Sequence, residues 1–158
     1  MAKQLTLPAF AAAGVKEIGG SGYPSPYREK VAGRTKRKLG DAAGLTQFGV
    51  NLVVLPPGGY SSMRHWHKNE DEFVYVLSGE LTLITDAGEQ ILTAGDASGF
   101  PAGKEDGHHM INRSKSPATY LEVGTRVKTD EVDYPDIDMK GADDGAGFKF
   151  LHKDGKPY

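Results

Sequence analysis

Four of the five histidines in the chain fall in two short clusters. His65 and His67 flank Trp66, and Glu72 follows after Lys68-Asn69-Glu70-Asp71. In an extended strand, residues two apart point to the same face. His65 and His67 therefore face one way together. Glu72, after a short bend, can return to that face from the next strand. Two imidazoles and a carboxylate aimed at one point offer borderline nitrogen donors and one charged oxygen, the set a transition metal needs. A further imidazole comes from His108-His109. These two are adjacent, so on a strand only one of them reaches a given point.

Glu72 precedes the apolar run Phe73-Val74-Tyr75-Val76-Leu77, whereas Glu70 and Asp71 read as solvated charges. The run implies that Glu72 begins a buried strand. A buried carboxylate without a partner is costly, and a metal would satisfy it. Arg64 and Trp66 alternate to the outer face if His65 and His67 point inward, and Trp66 reads as packing. Phe73 and Tyr75 share that outer parity, which suits sheet packing or a dimer interface.

The elements that must hold these residues are short strands. Segments 47–55, 72–77, 80–85, 90–93, 108–112 and 119–126 are rich in Val, Ile, Leu, Thr and aromatics. Pro56-Pro57-Gly58-Gly59, Ser78-Gly79, Asp86-Ala87-Gly88 and Ala94-Gly95-Asp96 separate them as turns. The 21 glycines and 9 prolines agree with many tight turns. No long amphipathic helix intervenes, so the pattern predicts an antiparallel sandwich or barrel over residues 45–126. Residues 1–44, with the irregular Gly19-Gly20-Ser21-Gly22-Tyr23-Pro24-Ser25-Pro26, form an N-terminal arm packing on it. Residues 127–158 form a C-terminal extension of the same domain.

A chain of 158 residues is one domain able to bury a proper core. Its formal charge of −2 gives no global field toward nucleic acid or an acidic membrane, and neither is expected as a partner. The absence of cysteine excludes disulfides and thiolate chemistry. The N-terminus lacks the apolar core of a signal peptide and no run approaches a membrane span, so a cytoplasmic protein is expected. The basic cluster Arg34-Thr35-Lys36-Arg37-Lys38 is a weak footprint for nucleic acid. It reads instead as a solvated edge strand, or as a partner for the acidic tail of Asp130, Glu131, Asp133, Asp136 and Asp138.

From Gly59 to Gly79 the sequence reads G-x5-H-x-H-x4-E-x6-G, which is similar to the first motif of the cupin superfamily at every spacing. From Gly95 through Pro101 and Gly103 to His108 and Asn112, it resembles the second motif, G-x5-P-x-G-x2-H-x3-N. One departure stands out: Lys104-Glu105-Asp106-Gly107 lie between Gly103 and His108, where the pattern has two residues. Such a loop either shapes substrate access at a barrel mouth or is only an insertion. The resemblance spans residues 47–126 and is to small stand-alone bacterial cupins. It implies an all-β fold, a double-stranded β-helix or jelly-roll barrel. It also implies one divalent transition metal ion, with iron, manganese, zinc and nickel all suited to the donors, held by His65, His67, Glu72 and His108. The interval to Asn112 selects His108 over His109 and puts Met110 on the inward side.

The resemblance does not imply one substrate, because cupins carry many chemistries. By analogy, the leading expectation is a metal-dependent isomerase or lyase acting on a small oxygenated compound, sugar-like or carboxylate. The alternatives are an oxygen-dependent dioxygenase and a module that binds a small ligand without turnover. The expected partners are a small-molecule ligand and a second copy of the chain, as a homodimer through outer sheet faces.

Overall fold

The computed structural model describes residues 5–143 and 147–158. In chain order the strands are β1 (Glu17–Gly19), β2 (Thr35–Lys38), β3 (Phe48–Leu55), β4 (Trp66–His67), β5 (Glu72–Ser78), β6 (Glu80–Thr85) and β7 (Gly88–Thr93). They continue as β8 (Ala97–Phe100), β9 (His109–Ile111), β10 (Ala118–Thr125), β11 (Glu131–Tyr134), β12 (Met139–Asp143) and β13 (Phe148–Leu151). A single α-turn, α1 (Leu39–Ala42), separates β2 from β3. The described helices include none long and apolar enough to cross a membrane.

All pairings between these strands are antiparallel. A six-stranded sheet runs β1-β2-β3-β10-β5-β8, a three-stranded sheet β7-β6-β9, and a four-stranded sheet β13-β12-β11-β4. The fold is the all-β jelly roll. Val53, Leu55, Val74, Val76, Ala118 and Tyr120 from the large sheet meet Leu81, Leu83, Leu92 and Met110 from the three-stranded sheet in one core. Burying each Val, Leu or Met side chain of this core contributes about 1.5–3 kcal/mol. A second core of Tyr23, Val31, Met63, Val132, Tyr134 and Met139 joins the N-terminal segment to the four-stranded sheet.

Gly79, the closing glycine of the first motif, sits in the tight connection between β5 and β6. Its φ is +79°, and a Cβ there would lie 2.7 Å from Ala118 Cα. Left-handed backbone and close approach of β10 both require glycine.

Several expectations differ from the structure. The basic cluster is not an edge strand: β2 lies between β1 and β3, and β1 is the edge. Nor, among the described residues, does it pair with the acidic tail. Arg37 pairs with Glu17 at 3.0 Å, and Arg34 donates to the Ser61 carbonyl at 2.5 Å. The tail acids engage other bases: Glu131 pairs with Lys68 at 3.2 Å, Asp136 with Arg64 at 2.7 Å and Asp138 with His152 at 2.8 Å. Strands β1, β11, β12 and β13 lie in segments expected only as an arm and an extension, and strand β8 was not expected either. Its Ala-Ser-Gly-Phe sequence has little strand propensity, and pairing with β5, Glu72 opposite Phe100, imposes the extended state.

Candidate metal centre

Backbone pairing sets the first two imidazoles side by side. His65 N–H donates to the His108 carbonyl at 3.1 Å, and His108 N–H to the His65 carbonyl at 2.8 Å. Strand β4 then carries His67 in register with Val132 of β11. Glu72 opens β5 on the face that Val74 and Val76 bury in the core. Ring centroids lie 5.0 Å apart for His65 and His67, and 4.9 Å for His65 and His108.

All three Nε2 atoms converge on one carboxylate oxygen. Glu72 Oε2 is 2.8 Å from His108, 3.4 Å from His65 and 3.5 Å from His67. His65, His67 and Glu72 form a group that could hold a metal ion. Phe100 stacks on His108 with centroids 3.5 Å apart, and Tyr134 stacks on His65 at 5.7 Å.

The outer ring nitrogens are held as well. His65 Nδ1 lies 2.9 Å from the Met63 carbonyl, and His67 Nδ1 lies 2.5 Å from Asp130 Oδ2. A carbonyl or ionised carboxylate only accepts, so Nδ1 carries the proton in both rings. Their neutral Nε2 lone pairs then point at the Glu72 oxygen, itself a lone-pair site. Lone pairs that face one another need a cation or shared protons between them. The donors are nitrogen and carboxylate oxygen, so a divalent transition metal fits this set.

Electrostatics agree with such a focus. Burial pushes the Glu72 carboxyl up, but the facing imidazoles of His108, His65 and His67 hold it well below the usual carboxylate range. Burial also disfavours charge on His67, yet Asp130 and Glu72 raise its proton affinity above that of a free imidazole. For His108, burial wins over Glu72 and lowers the value.

The site opens into a cavity of about 210 Å³ bordered by His67, Glu72 and His108. Trp66 and Phe100 wall it, and Thr85, Gln90 and Ser98 offer polar groups. Lys104 and Asp106, from the segment before His108, also line it. Asp106 Oδ1 accepts the Asp86 N–H at 2.8 Å, and the Gly107 carbonyl accepts from Arg64 at 3.2 Å. Arg64 also pairs with Asp86.

The structure brings His65, His67, Glu72 and His108 together and turns His109 away. His109 Nδ1 lies 3.2 Å from the Ser62 carbonyl, and its ring packs against Tyr60. Met110 faces the core. Asn112 does not approach the site. Its amide donates to the carbonyls of Leu55 and Ser116, both at 2.8 Å. Sequence reasoning missed Asp130, which was read as part of an acidic tail, and the stacking rings Phe100 and Tyr134. A bulky ring three residues before the Gly103 turn was the only local signal, and Asp130 had none.

The cupin domain family matches residues 51–124. The chain is 46% identical to a sugar phosphate isomerase of the cupin superfamily from Silicibacter pomeroyi, over 96% of each chain, with a TM-score of 0.92. A proposed sugar phosphate isomerase from Acidithiobacillus ferrooxidans is 33% identical, over 75% of this chain and 76% of that one, with a TM-score of 0.71. A polyketide cyclase from Streptomyces resistomycificus shares the fold alone, at 23% identity over 79% of this chain and 80% of that one and a TM-score of 0.61. Among curated proteins none matches. Motif spacing, barrel topology and relatedness along nearly the full length lead to one placement: the chain belongs to the cupin superfamily.

Proposed function

We propose that the protein is a metal-dependent isomerase acting on a small phosphorylated sugar, with one divalent ion held by His65, His67, Glu72 and His108. The observation that carries this reading is the convergence of three Nε2 atoms on Glu72 Oε2 beside an open cavity. The kinship with the Silicibacter pomeroyi isomerase supplies the substrate class. Iron, manganese, zinc and nickel all suit the donors.

When bound, such an ion polarises a carbonyl or hydroxyl oxygen of the ligand. The residues of the chain do the rest. Asp130 keeps the proton on His67 Nδ1, which leaves Nε2 free as a donor. Phe100 and Trp66 give the cavity an apolar wall that limits water beside the site. Thr85, Gln90 and Ser98 present hydroxyl and amide groups of the kind that pair with a polyol. The assembly that goes with this reading is a homodimer through the outer face of β5, where Phe73, Tyr75 and Leu77 are exposed.

The test is elemental analysis of purified protein, then a panel of aldose and ketose phosphates followed by NMR, with oxygen uptake recorded in parallel. The expected result is about one divalent metal per chain and interconversion without oxygen consumption. Metal below about a tenth per chain after reconstitution would count against the site. Oxygen uptake without isomerisation would move the reading to a dioxygenase.

A further inference from the structure

The inner face of the six-stranded sheet changes character along its strands. At one end it presents Val53, Leu55, Val76, Ala118 and Tyr120 to the core. Toward the other end the same face becomes polar. Lys36 is paired with Val53, Lys38 with Asn51, and Asn51 with Glu122. Cross-strand partners share a face, so Lys36, Lys38, Asn51 and Glu122 all lie on the inner side. Lys38 is exposed there, but Lys36, Asn51 and Glu122 are half-buried, and half-buried polar groups are costly to a sheet that only needs to pack, which makes them a pointer to a ligand.

The next row outward is Gly49, Gly124 and Glu72, in register across β3, β10 and β5. Two of its positions lack side chains, and a cleft of about 250 Å³ opens there beside Glu72. Backbone geometry does not impose these glycines. Neither has the left-handed φ, and a Cβ at either would meet nothing closer than 3.4 Å. What they leave is room.

The hydrogen-bonding partners in the cleft are unevenly distributed. Glu122 Oε1 accepts from Asn51 Nδ2 at 2.9 Å, and Glu70 Oε1 accepts the Val127 N–H at 2.6 Å. Glu72 faces the imidazoles. Arg126 donates to the Leu45 carbonyl and pairs with Asp41. The Lys36 ammonium, by contrast, has neither a hydrogen bond nor an ion pair among the described residues. Lys38 reaches Asp41 at 3.7 Å. Burial weakens the hold of Lys36 on its proton, with Glu122 opposing. An anion between the two lysines would reverse that penalty.

We propose that this cleft is an anion subsite, in which Lys36 and Lys38 hold a phosphate group over the Gly49–Gly124 floor. The proposal rests on the reading of the protein as acting on a phosphorylated sugar. Glu70 and Glu72 border both this cleft and the 210 Å³ cavity. A ligand anchored here by its phosphate therefore extends its polyol toward the imidazole cluster. Lys104, which lines the cavity, is the competing anchor; its own partner Asp106 lies 3.9 Å away.

Calorimetric titration of the metal-loaded protein with inorganic phosphate, glucose 6-phosphate and glucose tests the assignment. Wild type should bind both phosphates and hold glucose more weakly. Lys36→Met should weaken both phosphates roughly tenfold or more, with metal content and glucose binding unchanged. Gly49→Val fills the floor without removing a charge and should give the same loss. It also carries the test if Lys36→Met does not fold, as judged by circular dichroism. Loss of phosphate binding in Lys104→Met but not in Lys36→Met would overturn the placement. So would a fully metal-loaded wild type that binds no phosphate. A protein that takes up no metal yet binds phosphate through Lys36 would uphold the subsite and sink the metal-dependent reading instead.

Discussion

Nδ1 of His67 and Oδ2 of Asp130 lie 2.5 Å apart, across 63 positions of chain. Asp130 is buried, and its second oxygen accepts the Asn69 N–H at 3.0 Å. It stands immediately before β11, whose Val132 pairs with His67. The four-stranded sheet thus delivers a carboxylate to the back of one imidazole. That contact fixes the tautomer, orients the ring and raises its basicity toward a metal at Nε2.

Asp130→Asn should therefore lower metal affinity roughly 10–100-fold. The amide retains an acceptor for Asn69 but cannot offer a negative charge to Nδ1–H. Competition with a chelator of known affinity measures the change. An unaltered affinity would show that Asp130 only braces the Asn69 backbone.

His108→Ala should empty the metal site while His109→Ala retains it. His108 Nε2 is the nearest imidazole nitrogen to Glu72, at 2.8 Å, whereas His109 leans on Tyr60 and the Ser62 carbonyl. Both variants should remain folded by circular dichroism, since the apolar strands carry the core. Metal analysis after dialysis decides it; the reverse pattern would mean that the two side chains have exchanged faces in solution.

Much of the site was legible because its spacing is local. His65 and His67 share a face by strand parity, and Glu72 opens the next strand ahead of a run of apolar residues that fixes its direction. Asp130 was not legible, because only the pairing of β4 with β11 brings it near, and pairing between distant strands leaves no local pattern. The inward lysine Lys36 was hidden for a related reason. A run of charges reads as solvent-facing until β1, only Glu17–Gly19, is seen to cover it as the edge. Strand β8 escaped because tertiary pairing overrides weak propensity.

Asn112→Ala should destabilise the fold without removing the metal. The side chain is fully buried. Its amide satisfies the Leu55 and Ser116 carbonyls, and its Oδ1 accepts from Ser114 N at 3.0 Å and Ser114 Oγ at 2.7 Å. Truncation leaves buried groups without partners, at about 1–3 kcal/mol each in the worst case. A loss of roughly 2–4 kcal/mol by denaturant titration is expected. Metal stoichiometry should stay as in wild type. Loss of metal with unchanged stability would give the asparagine a role at the site rather than in the turn.

The proposed homodimer makes a prediction about mass. Phe73, Tyr75 and Leu77 occupy alternate positions on β5 and point away from the core, each about two-fifths exposed. Phe48 and Val123 border a shallow apolar depression beside Phe73 on the same side. A strip of this kind is best covered by a partner, and a two-fold pairing would cover both copies at once. Light scattering at micromolar concentration should then give twice the chain mass of 17.0 kDa. Phe73→Glu combined with Tyr75→Glu should return the protein to a monomer. Neither ring packs in the core, so each substitution should change the stability of the folded chain by only about 0.5 kcal/mol. A monomeric wild type under the same conditions would remove the dimer and leave the strip as ordinary exposed apolar surface.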